Sequence, residues 1–111
     1  MQIINRTING TIFKCDQCEN IHIEYNNLSF SFSAAEYNFF VDYFRRIKED
    51  YWEKINAGSP FSKKIIIPVQ HRNITLLMNA QEVKEMRILL GIEKIDLNLR
   101  SIPIALETCI N

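Results

Sequence analysis

Residues 27–40 read NLSFSFSAAEYNFF, and residues 73–86 read NITLLMNAQEVKEM. An offset of 46 positions superposes them role by role. Asn27 meets Asn73, Leu28 meets Ile74, Phe30 meets Leu76, Phe32 meets Met78, Ser33 meets Asn79 and Glu36 meets Glu82. Identities are few, but turn, strand and cap signals recur in the same order, and such agreement across levels is what marks a repeat.

Each stretch leaves a turn. Tyr25-Asn26-Asn27-Leu28 and His71-Arg72-Asn73-Ile74 both carry Asn at the second turn position. Asn tolerates the positive φ that a two-residue type I′ hairpin turn requires. Across such a turn 25 faces 28, 23 faces 30 and 21 faces 32. Ile21, Ile23, Tyr25, Leu28, Phe30 and Phe32 then share one face, and His22, Glu24, Ser29 and Ser31 the other. Period-2 alternation on both arms predicts a half-buried hairpin. In the second unit Ile65, Ile67, Val69, His71, Ile74, Leu76 and Met78 fall on the inner face.

Both hairpins run into a helix start. Ser33-x-x-Glu36 and Asn79-x-x-Glu82 have the spacing of a capping box. The first side chain accepts from an early helical N–H, and the Glu reaches back to the cap residue's own N–H. Tyr37, Phe40, Val41, Phe44, Ile47 and Tyr51 recur at helical spacing, with Trp52 on the stripe's edge. Val83, Met86 and Leu90 form a shorter stripe that Gly91 should stop in a left-handed conformation. Residues 56–60, Asn-Ala-Gly-Ser-Pro, read as the linker.

These signals define an α+β fold, an antiparallel sheet with two helices on one face. It is built from two pseudo-symmetric strand–turn–strand–helix units, at about 20–50 and about 64–91, within a single domain 1–111. Residues 11–14 should add a strand that pairs with 20–25 through a tip at 15–19. A C-terminal extension, 92–111, alternates at Ile95, Leu97 and Leu99 and again at Ile102, Ile104 and Leu106. It reads as at least one more strand, with helix as the alternative around Ala105. In the expected second register Pro68 opposes Leu77 with its nitrogen turned away from strand 74–78. A missing N–H costs nothing there, which makes strand 64–70 an edge.

Composition bounds function. A length of 111 residues suits one domain. An apolar fraction of 47% with 11% aromatics supports a packed core. Thirteen basic residues balance 13 acidic ones. The only basic pairs are Arg45-Arg46 and Lys63-Lys64, so the basic stripe that nucleic-acid binding needs is missing. No run approaches the roughly 20 apolar residues of a membrane span, so no membrane partner is expected. The N-terminus lacks a signal-peptide pattern, and three cysteines do not suit a secreted disulfide framework, so the expected location is cytoplasmic.

Cys15-x-x-Cys18 is the one motif with a metal-binding precedent. Two thiolates at this spacing can hold a zinc ion that then needs two further ligands. His22 is the nearest candidate, although alternation puts it on the outer face. The redox reading is weaker. A reactive pair favours a helix N-terminus, whereas strands flank this one, and Asp16 and Glu19 disfavour thiolate. A small enzyme with a site between the units, around Tyr25 and His71, is a further alternative. Three glycines leave no phosphate-binding loop. Phe30 and Phe32 sit on the core side rather than on an open base-stacking face.

Cys15-x-x-Cys18, Asn27-Leu28-Ser29-Phe30, Glu36, Asp50-Tyr51-Trp52-Glu53, Ile65-Ile66-Ile67-Pro68 and Glu82 together resemble a family of short bacterial proteins described as a domain of unknown function. The resemblance spans about residues 8–91. It implies a stand-alone cytoplasmic protein and carries over no activity.

The leading expectation is a non-catalytic module for protein interaction or self-association, with a protein partner or a homodimer. The second hairpin shows Ile66, Pro68 and Leu77 on its outer face, and an apolar outer patch must be covered or used. The C-terminal segment or a second subunit could cover it.

Overall fold

A computed structural model describes residues 1–17, 19–69 and 71–94. The element order is β1 (Gln2–Arg6), β2 (Gly10–Lys14), β3 (Ile21–Tyr25), β4 (Leu28–Phe32), α1 (Ala34–Arg46), α2 (Glu49–Ile55), β5 (Ile65–Ile67), β6 (Leu76–Met78) and α3 (Ala80–Leu89). The first four strands form an antiparallel sheet in the order β1-β2-β3-β4, and β5 and β6 form a separate antiparallel ribbon. The α+β class is as read.

The first hairpin has the expected register, with Tyr25 opposite Leu28, Ile23 opposite Phe30 and Ile21 opposite Phe32. Its left-handed residue, however, is Asn26 at φ 53°, the first turn position rather than the second. Residues 11–14 do form a strand that pairs with β3, with Lys14 opposite Ile21. β1 was not anticipated. It pairs with β2 through a bulge between Ile3 and Asn5.

The second hairpin differs from its reading. Ile66 faces Leu77 and Ile67 faces Leu76, a slip of two residues. Pro68 therefore lies just past β5 rather than opposite Leu77. A slip of two preserves faces, so Ile65, Ile67 and Met78 remain buried. Beyond β5 and β6 the inner-face reading fails. His71 is exposed and Ile74 lies open to solvent. The strands are only three residues long, so the alternation read beyond them has no ladder to hold it.

Both capping boxes are formed. The Ser33 hydroxyl and the Asn79 side chain accept from the N–H groups of Glu36 and Glu82. In return the Ser33 and Asn79 N–H groups donate to Glu36 and Glu82 at 2.8 and 2.9 Å. The bond from Ser33's backbone holds the Glu36 carboxyl below its ordinary pKa. α3 ends as read. Gly91 adopts φ +80°, its N–H bonds to the Ile88 carbonyl and the Ile92 N–H bonds to the Arg87 carbonyl, a Schellman motif.

The expected single long helix is two. Ile47 and Lys48 are extended between α1 and α2. Phe40, Val41, Phe44 and Ile47 are buried as expected. The break turns Tyr51 outward and packs Trp52 against the core instead. Phe40 lies against Phe30, Phe32 and Phe44, with ring centroids 5.5, 4.9 and 4.9 Å away. Val83, Met86 and Leu89 complete the core beneath Ile12, Ile23 and Tyr25.

α3 packs close against the sheet at Gly10. A Cβ there would stand 2.7 Å from Leu89 Cδ2 and 3.1 Å from the Glu24 carbonyl oxygen. Gly10→Ala should therefore cost about 1–3 kcal/mol through overpacking. Urea unfolding measures this, and an unchanged midpoint would mean the helix does not seat so closely.

Candidate functional site

The most polar buried feature gathers around Glu85, on the core side of α3. Only 5% of Glu85 is exposed. Its Oε2 accepts from the Thr7 hydroxyl at 2.6 Å and the Asn9 N–H at 3.0 Å. Its Oε1 accepts from Asn9 Nδ2 at 2.9 Å and the Tyr25 hydroxyl at 3.1 Å. Four donors on one carboxylate satisfy a group that burial would otherwise penalise. Burial, and then the adjacent Glu85 charge, push the Tyr25 hydroxyl well above the usual phenol range. With every lone-pair direction occupied and the cluster closed, its chemistry is that of a clamp joining the β1–β2 turn to α3. Asn5 adds to it, donating to the Ile88 and Leu89 carbonyls at 3.1 and 3.0 Å.

The second feature is an open groove of about 580 Å³ between β4, α1 and the chain just after β5. Phe30, Phe32, Phe39, Phe40, Tyr43 and Pro68 line it. Such a volume suits a small ligand or a short stretch of polypeptide. Phe39 is 66% exposed at its rim. Glu36 is the one charged side chain among the described lining residues.

Among the described residues β4 is the terminal strand of its sheet. The pair flanking a two-residue hairpin turn exchanges both of its hydrogen bonds, and bonded pairs then alternate along the ladder. Tyr25 and Leu28 flank the turn, so Leu28, Phe30 and Phe32 bond to β3. The N–H and C=O groups of Ser29 and Ser31 point to the open edge, and both residues border the groove. Across it the Tyr43 hydroxyl donates to the Ile66 carbonyl at 2.8 Å. That bond occupies the free edge of β5 and ties the ribbon to α1.

Of the candidate interface residues, Pro68 reaches this groove. Ile66 stands beside it through Tyr43, and Leu77 is half-buried opposite Ile66 on β6. Among the candidate metal ligands, Cys15 is disulfide-bonded. A disulfide sulfur offers no thiolate to a metal. Cys18 lies outside the described residues. His22 is on the outer face as read, with its ring stacked on Phe13 at 5.1 Å. Among the described residues no group of three or more His, Cys, Asp or Glu side chains converges. Tyr25 and His71 are not brought together, since Tyr25 is buried against Glu85 and His71 is exposed beyond β5.

Sequence reading missed Glu85, Thr7 and Asn9. One signal was present: Glu85 stands three and four residues before Ile88 and Leu89, on the helix's apolar side. A carboxylate there needs donors, and only the fold supplies them, from a turn more than 70 residues away.

The architecture defines a small α+β domain: a four-stranded antiparallel sheet, a separate two-stranded ribbon and helices packed on one face. The chain belongs to DUF6686, described as a family of unknown function, whose model matches residues 1–111. The match thus extends past residue 91, where the resemblance ended. No curated protein and no solved structure matches the chain. Among the described residues no helix is long and apolar enough to cross a membrane.

Proposed function

We propose that the protein is a non-catalytic interaction module that takes an extended polypeptide segment by strand addition at β4. The observation that carries this reading is the pairing of a strand edge, at Ser29 and Ser31, that no other strand occupies among the described residues, with an aromatic-lined groove along it. Main-chain bonds to an edge supply affinity, and pockets for alternate side chains supply selectivity. Every second side chain of the added segment faces the rings. With Glu36 as the only charge among the described lining residues, the segment is apolar at alternate positions and carries no acidic residue. β4 has neither Lys, Pro nor a bulge, the devices that keep an edge from pairing. A second copy's β4 presents the same chemistry, so self-association is one form of this binding.

The probe is a synthetic peptide, acetyl-Lys-Val-Thr-Val-Thr-Val-Lys-amide, titrated into the isotope-labelled protein. Binding should slow exchange of the Ser29 and Ser31 amides. Replacing the central Val by Pro should abolish it, and Phe39→Asp should weaken it about tenfold or more, the cost of roughly 1.4 kcal/mol. Light scattering on the free protein reads the mass. A monomer whose Ser29 and Ser31 amides ignore the peptide at millimolar concentration sinks the proposal.

A further inference from the structure

Of the three glycines only Gly10 follows an asparagine, and the Asn9-Gly10 pair belongs to the turn that Glu85 clamps. Glycine carries no Cβ to shield its backbone nitrogen, so that nitrogen can reach the side-chain carbonyl carbon of a preceding asparagine. In the fold it is held away. The Asn9 N–H and Nδ2 both donate to Glu85, at 3.0 and 2.9 Å. The Asn9 carbonyl accepts from the Asn26 N–H at 2.8 Å, and the Gly10 N–H donates to the Thr7 carbonyl at 3.4 Å. Gly10 itself is buried, with Leu89 above it and Tyr25 opposite it in the sheet.

Bringing the Gly10 nitrogen onto Asn9 Cγ means turning the peptide between them. The bonds to Asn26 and Thr7 are then lost, and the Asn9 side chain leaves Glu85. The bond from Nδ2 to a carboxylate also pushes electron density onto the amide, which makes Cγ a poorer electrophile. These restraints are released together when the turn opens, because they all tie the same short stretch to Glu85, Asn26 and Thr7.

We infer that Asn9 is a latent deamidation site that the fold keeps closed, and that its conversion in the opened chain prevents the Glu85 clamp from re-forming. In the opened chain the Gly10 nitrogen gives up its proton and bonds to Asn9 Cγ. The Cγ–Nδ2 bond breaks, and ammonia leaves with that proton. Water then opens the cyclic imide at either of its carbonyls. One opening leaves aspartate, and the other leaves isoaspartate, whose main chain is a methylene longer. Nothing is oxidised or reduced, and water is the co-reactant. Neither product fits the folded site. Aspartate puts a second carboxylate oxygen where Nδ2 stood, 2.9 Å from Glu85 Oε1, and like charges that close oppose each other's ionisation. Isoaspartate lengthens a turn whose ends, Thr7 and Gly10, exchange both backbone hydrogen bonds. The inference does not depend on the proposed function, since it concerns the β1–β2 turn and not the β4 groove.

Peptide mapping by mass spectrometry on the full chain tests it. In mildly alkaline buffer the Asn9 amide should be lost about tenfold or more slowly than in the same buffer with denaturing urea. After dilution from urea, converted chains should fail to regain the native Trp52 emission, while unconverted chains from the same sample regain it. Asn9→Asp should lower the urea midpoint. Asn9→Asp/Glu85→Gln should raise it again, because the pair is then one carboxylate and one amide with their roles exchanged. Equal rates of amide loss with and without urea overturn the inference, and so does full recovery by converted chains. Both readouts use the unsubstituted chain and decide the matter even where a variant does not fold. An Asn9→Asp midpoint equal to that of the wild type overturns it as well.

Discussion

Glu85→Ala should lower the stability of the domain by about 3–5 kcal/mol, a large share of the 5–15 kcal/mol that holds a domain of this size together. Alanine removes the acceptor that the Thr7 hydroxyl, the Tyr25 hydroxyl and both nitrogens of Asn9 share. Thr7 and Tyr25 are themselves 4% and 2% exposed, so their donors are left in a dry site. Each orphaned buried donor costs roughly 1–3 kcal/mol. The total stays below the sum because removing a buried carboxylate also removes its own desolvation cost. Glu85→Gln should cost less, about 1–2 kcal/mol by the same scale. The Tyr25 hydroxyl can accept from the new amide, and the Asn9 amide can turn its oxygen toward it. Urea unfolding of the three proteins orders them. Equal losses for Ala and Gln would mean that packing, rather than the shared acceptor, sets the effect.

Arg87→Ala should cost about 2–4 kcal/mol, since hydrogen bonds from a charged donor contribute roughly 1.5–3 kcal/mol each. The side chain is 11% exposed and threads between α3 and the break in the first helical segment. Its Nε donates to the Phe44 carbonyl at 2.9 Å, its Nη2 to the Ile47 carbonyl at 2.7 Å, and its Nη1 lies 3.1 Å from a Glu49 carboxylate oxygen. The guanidinium fork thus satisfies the carbonyls at the end of α1 and grips the first residue of α2. Arg87→Lys should recover less than half of the loss, because a single ammonium cannot span three acceptors in that plane. Trp52, the only tryptophan, reports on α2. Its emission should shift red in Arg87→Ala before the domain unfolds, and an unshifted native spectrum would show that α2 is held by other contacts.

Arg87 also marks the limit of what periodicity could tell. Phe40, Phe44 and Ile47 recur at helical spacing, and nothing between Arg46 and Asp50 is Gly or Pro, so the stripe read as continuous. The break is made by a partner 40 residues downstream, and a local pattern cannot contain it. The first hairpin was legible because both arms alternate over five residues around one two-residue turn. The second was legible in its faces but not its register, because three-residue strands leave the turn too far away to fix the pairing. Caps were the most readable elements, since each needs only residues three apart. The groove was only half visible. Pro68 announced an edge, but the edge that lies open among the described residues is β4, because β5 and β6 form their own ribbon.

The bulge in β1 separates the fates of the two sheet edges. Ile3 and Asn5 lie in different registers against β2, so the β1 edge is kinked, whereas β4 is regular along its five residues. A molecule with one straight edge can join a second copy only about a two-fold axis, and that pairing consumes the edge. Growth into a filament requires two compatible edges on every subunit. Among the described residues the regular β4 edge is therefore the one suited to closing a pair about a two-fold axis or capping another protein's strand.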